Sequence, residues 1–87
     1  MDEKLIDQVF SHVERLGYGD ELPRSLREGF PALHFTFCLD DDIYSREPIR
    51  SGQHANLYLV SKGEHCLSFT NDQDSATGLV VAEVIDF

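Results

Sequence analysis

Ala32-Leu33-His34-Phe35-Thr36-Phe37-Cys38-Leu39-Asp40 is where the chain changes its period. Leu33, Phe35, Phe37 and Leu39 alternate with His34, Thr36, Cys38 and Asp40, which is the two-residue period of a half-buried strand. The sequence before this stretch has a different rhythm. Leu5, Ile6, Val9, Phe10, Val13 and Leu16 recur at spacings of three and four, so one apolar stripe runs down a helix over about residues 3–16. Asp2 caps its start, Glu3 suits the positive N-terminal end, and Gly17 and Gly19 stop it. A second, short helix over about 22–28 has Pro23 in its first turn and turns Leu22, Leu26 and Phe30 to the core.

After Leu39 the Asp40-Asp41-Asp42 run reads as a solvated turn. A strand is expected over about 43–50, at a sheet edge because Pro48 lacks a ladder donor. Residues 55–61 and 64–70 read as a hairpin. A three-residue Ser61-Lys62-Gly63 loop would pair Leu57 with Leu67 and Ala55 with Phe69, keeping the apolar sets on one face. Asn71 to Gly78 is a polar loop. The Val/Ile-rich run at about 79–86 is apolar on both alternating faces, as in a strand buried on both sides. A helix starting near Asp74 is the alternative for that run.

These elements predict an α+β fold: two N-terminal helices packed on one face of a four- to five-stranded, mainly antiparallel sheet, in a single domain of 87 residues. The helix side would hold Leu33, Phe35, Phe37, Leu57, Leu59, Leu67 and Phe69. The opposite side would show His34, Thr36, Cys38, Asn56, Tyr58, Cys66 and Ser68, joined by Val80, Ala82 and Val84 if the last strand lies in the same sheet.

Charge narrows the function classes. Sixteen acidic against seven basic side chains leave a net charge of −9, the wrong sign for phosphate-rich nucleic acid or an anionic membrane surface. Met1-Asp2-Glu3-Lys4 is not a signal-peptide start and no apolar run reaches transmembrane length, so a cytoplasmic protein with reduced thiols is expected. Cys38, Cys66 and His54 are the candidate metal ligands. His34 and Cys38 share a strand face but stand about 13 Å apart, beyond the reach of one tetrahedral ion. His65 and Cys66 have the residue types of a Cys-His pair, but neighbours on a strand point to opposite faces. No phosphate-cradling loop, nucleophile elbow or EF-hand spacing occurs. No catalytic residue and no cofactor are therefore assigned. An interaction protein that pairs with itself as a homodimer, or with another protein, through the helix-free face is the expected class. Metal or cluster handling through Cys38, Cys66 and a histidine is one alternative, and a small thiol enzyme is the other.

Three segments carry a family likeness: Asn56-Leu57-Tyr58-Leu59-Val60, His65-Cys66-Leu67-Ser68-Phe69-Thr70-Asn71-Asp72 and Ala76-Thr77-Gly78-Leu79-Val80. With the first helix they resemble a small, functionally uncharacterised bacterial family associated with nitrogen-fixation gene neighbourhoods. The resemblance implies a bacterial cytosolic accessory protein serving metallocluster or redox enzymes, and carries no catalytic motif with it.

Overall fold

A computed structural model describes residues 1–43, 47–62, 67–70 and 76–84, without the side chains of Asp42, Lys62, Leu67 and Ser68. Helix α1 spans Glu3–Leu16. The Asp2 carboxylate accepts from the Lys4 amide at 3.2 Å, and Gly17 ends the helix at φ 80°, where its amide donates to the Val13 carbonyl. Ile6, Val9 and Val13 are fully buried, whereas Leu16, expected on the same stripe, is 47% exposed. Helix α2 spans Leu22–Gly29, with Pro23 in its first turn and Leu22 and Leu26 buried.

The strands are β1 (His34–Leu39), β2 (Arg50–Ser51), β3 (Ala55–Lys62), β4 (Leu67–Phe69) and β5 (Gly78–Glu83). Their order is β1-β5-β3-β2, with β4 also paired to β3. Strand β2 pairs with Asn56 and Leu57, and β4 with Val60 to Lys62, so the two short strands share one flank of β3. Five strands thus fill four lanes. The pairing of β1 with β5 is parallel and the rest is antiparallel. The fold is α+β with the helices on one side, as the change of period implies.

Strand β5 occupies the centre, which explains its apolar residues on both faces: Leu79 and Val81 lie under the helices, and Val80 and Ala82 on the other side. The principal core joins Ile6, Val9, Val13, Leu22 and Leu26 to Phe35, Ala55, Leu57, Leu59, Leu79 and Val81. Each fully buried Leu or Ile contributes about 1.5–3 kcal/mol of burial free energy, so this layer dominates the stability.

Helix α1 is tied to the β2–β3 hairpin at two points. Arg50 Nε donates to Asp7 Oδ1 at 2.9 Å, and the Glu14 carboxylate accepts the amides of Gln53 and His54 at 2.7 and 3.4 Å. A Cβ on Gly52 would run into the Glu14 carboxylate and lie 2.9 Å from the Phe10 ring, so only glycine leaves room for this contact. Gly78 has a similar role at the start of β5, where a Cβ would stand 2.5 Å from the His34 carbonyl oxygen of the neighbouring strand.

Three expectations are corrected. The strand expected over 43–50 is reduced among the described residues to Arg50–Ser51, because Asp40–Asp42 forms a 3₁₀ turn with the Ile43 amide on the Asp40 carbonyl, and Pro48 cannot donate to a ladder. The expected hairpin register fails as well. Arg50 already faces Leu57, so β4 pairs further along β3, with Val60↔Phe69, Ser61↔Ser68 and Lys62↔Leu67. The shift is five positions, an odd number, and an odd shift exchanges the faces. Phe69 therefore packs on the side away from the helices, in contact with Tyr58 and Val60. Leu39, expected at the core, is 39% exposed at the end of β1.

Candidate functional site

The side of the sheet away from the helices carries the expected interaction residues, and the structure separates them into two groups. His34 and Thr36 are exposed and Cys38 is half-buried, all on β1. Tyr58 and Asn56, on β3, are buried at 4% and 9% exposure. Cys66 lies outside the described residues, and Ser68 is placed by its backbone alone, opposite Ser61. Asn56, Tyr58, Val60, Val80 and Ala82 are therefore not a free surface. Tyr58, Val60, Val80 and Ala82 form a second, smaller core, packed against by Cys38, Ile43 and Phe69. The Phe69 ring meets Tyr58 edge-on at 5.8 Å.

Asp40 organises this layer. Its Oδ1 accepts the Tyr58 hydroxyl at 2.7 Å and the Asn56 amide at 3.1 Å, while the Ser51 hydroxyl donates to Asn56 Oδ1 at 2.9 Å. Asp40 comes directly after the last residue of β1, so these bonds hold the 3₁₀ turn against the sheet and bring Ile43 over the second core. Burial, and then the bond to Asp40, push the Tyr58 hydroxyl up from about 10 to about 12. A phenol held neutral by a carboxylate acceptor is a poor proton donor at physiological pH, so the geometry suits anchoring rather than acid–base chemistry. Tyr18, whose ring packs edge-on against Phe37, is also raised, first by burial and then by Glu83 and Cys38. The role of Asp40 goes beyond the solvated turn expected of the acidic triplet. The signal for it in the sequence is its place one residue beyond an alternating strand.

The helical layer contains a histidine–serine pair. His12 Nε2 lies 2.6 Å from Ser25 Oγ, and Arg15 Nη2 lies 3.3 Å from His12 Nδ1. Arginine only donates, so Nδ1 accepts and the ring proton sits on Nε2, pointing at the serine oxygen. A hydrolytic pair needs the opposite tautomer, with a carboxylate on Nδ1 and a bare Nε2 to take the serine proton. His12 and Ser25 therefore serve to join α1 to α2. Asp7, Gln8, Ser11, His12, Arg15 and Phe30 line a shallow groove beside this pair.

Of the candidate metal ligands, Cys38 sits on β1 and His54 in the β2–β3 turn. Strands β1 and β4 lie at opposite edges of the sheet, with β5 and β3 between them. Among the described residues, no three His, Cys, Asp or Glu side chains come together as a metal site. Nor, among those residues, is any helix long and apolar enough to cross a membrane.

A family model described as a family of unknown function, DUF6129, matches residues 9–84. The chain belongs to that family. No curated protein and no solved structure matches it. The DUF6129 match begins inside α1 and ends one residue beyond β5, so the Asp40 network, the His12–Ser25 pair and both glycine contacts fall within the shared region.

Proposed function

We propose that this DUF6129 chain is a non-enzymatic accessory domain that works by binding protein. The observation that carries this reading is the division of labour among its polar side chains. Asp40, Asn56 and Tyr58 hold the second core, His12 and Ser25 join the helices, and Glu14 grips the hairpin. Among the described strands, β1 is an outer strand whose His34 and Thr36 are exposed and whose terminal Leu39 is an exposed large apolar residue. An outer strand with exposed apolar and uncharged polar residues is suited to macromolecular contact. The net charge of −9 favours a partner with basic or mixed charge, bound less tightly as salt rises. The likeness to proteins of nitrogen-fixation gene neighbourhoods suggests the bacterial cytoplasm, and a metallocluster or redox enzyme system, as the place to look for it.

The test is affinity capture from an extract of the native host, with the intact chain run beside a His34→Glu/Thr36→Glu variant. Both positions are exposed, so the variant is expected to retain the far-ultraviolet circular dichroism of the parent. A protein enriched by the parent and lost with the variant supports the reading. Identical recovery by both chains overturns it.

A further inference from the structure

We propose that β1 is a self-pairing edge: two copies of this chain join their β1 strands antiparallel into one continuous sheet. The inference rests on the accessory-domain reading and names one partner, a second copy. Strand β1 pairs with β5 alone among the described residues. The His34 amide donates to the Thr77 carbonyl, so the backbone groups of His34, Thr36 and Cys38 face β5. In a parallel ladder alternate residues face opposite ways, which turns the N–H and C=O groups of Phe35 and Phe37, and the N–H of Leu39, to the edge that no described strand pairs, while the Leu39 carbonyl caps the 3₁₀ turn.

Natural sheets protect such edges with charged side chains, proline, bulges or very short strands. This one has six residues, and from Gly29 to Leu39 the chain has no Asp, Glu, Lys or Arg, although 16 of its 87 residues are acidic. The side chains of β1 itself carry no formal charge, and the Arg27 guanidinium of α2 stands 5.9 Å from the Phe37 ring centroid, so two chains of net charge −9 would meet beside a basic group rather than an acidic one.

Charge bears on the direction, and the outward-facing odd positions restrict the register. One end of β1 begins at His34, and the other runs into Asp40 and Asp41. Parallel pairing of two copies would stack the carboxylates, whereas antiparallel pairing sets the His34 end against the acidic end. A two-fold axis at Phe37 places Phe37 opposite its equivalent, Phe35 opposite Leu39, Thr36 opposite Cys38 and His34 opposite Asp40. The Phe37 pair then exchanges both backbone hydrogen bonds, each Leu39 N–H donates to the Phe35 carbonyl of the other copy, and exposed Leu39 lies across from an aromatic residue. A partner protein's extended segment would use the same backbone groups, but would not be matched to both ends of β1 by this symmetry.

The decisive variant is Leu39→Pro. Leu39 has φ −86° and ψ 141°, close to proline's own geometry, and its N–H faces the open edge, so the monomer loses no ladder bond. Sedimentation equilibrium on the intact chain, up to millimolar concentration, is expected to show a monomer–dimer equilibrium. Leu39→Pro should raise its midpoint about tenfold or more, because both copies lose a donor. Leu39→Lys, which keeps the N–H but charges the edge, should also weaken it.

Amide exchange reads the surface directly. With rising concentration, protection should appear at Phe37 and Leu39, while His34, Thr36 and Cys38 stay protected throughout. A chain that is monomeric at millimolar concentration overturns the proposal. So does a dimer indifferent to Leu39→Pro, or protection that appears only when a different protein is added. A host protein captured equally by the parent and by Leu39→Pro would leave the accessory-domain reading standing while the self-pairing edge fell.

Discussion

Replacing Tyr58 with Phe removes one oxygen and leaves the ring in the second core, so the change isolates the bond to Asp40. That bond is 2.7 Å long, made to a carboxylate, by a residue only 4% exposed. Hydrogen bonds to charged groups contribute about 1.5–3 kcal/mol, and losing this one leaves Asp40 with the Asn56 donor alone. A loss of about 2 kcal/mol is therefore expected, which for a domain of this size lowers Tm by about 8–16 °C. Urea titrations of the parent, Tyr58→Phe, Asp40→Asn and the double variant are the assay, and the double variant should lose clearly less than the two single losses combined.

The pH dependence has a definite sign. The folded state raises the Tyr58 hydroxyl from about 10 to about 12, so its contribution is complete below pH 10 and is lost as pH climbs toward 12. The parent should lose more stability than Tyr58→Phe across that interval. If Tyr58→Phe matches the parent to within about 0.5 kcal/mol, or if the cycle is additive, Asp40 does not hold the turn to the sheet in the way described.

Two glycines provide further tests. Gly78→Ala sets a methyl group 2.5 Å from the His34 carbonyl oxygen, a backbone atom that cannot move unless β1 moves, so a loss of about 3 kcal/mol or more is expected by thermal unfolding. Gly52→Ala drives the flexible Glu14 carboxylate off the Gln53 and His54 amides and presses on the Phe10 ring, at about 1–3 kcal/mol, and the Glu14 share of that penalty should vanish in a Glu14→Ala background. A Gly52→Ala effect that is the same in both backgrounds would show that the helix–hairpin grip is not what the glycine protects.

How legible the fold was in the sequence depends on how local the cause of each element is. The spacing of Ile6, Val9 and Val13 places α1, with Asp2 and Gly17 at its ends, because capping and an apolar stripe act within a few residues. The Leu79–Ala82 run reads as a strand buried on both faces, and β5 is that strand, central in the sheet. The alternation of β1 likewise turns Phe35 to the helices and leaves His34 and Thr36 exposed.

The candidate site was less legible. Tyr58 and Asn56 have the spacing of an outward face, and alternation cannot tell an outward face from one that acquires a second core. Asp40 crosses from the end of β1 to Tyr58 on β3, a contact 18 residues apart that no local pattern encodes. The hairpin register depended on a competitor: Arg50 and Ser51 take the places beside Leu57 and Asn56, and β4 is displaced along β3.

Periodicity, caps and turn residues act along the chain, so the two helices, the alternating strand and the α+β class were already present in the order of the amino acids. The parallel β1–β5 pairing, the face taken by Phe69 and the burial of Tyr58 were settled in three dimensions. There, strands distant in sequence compete for the same backbone partners, and apolar surface exposed on one element is covered by another.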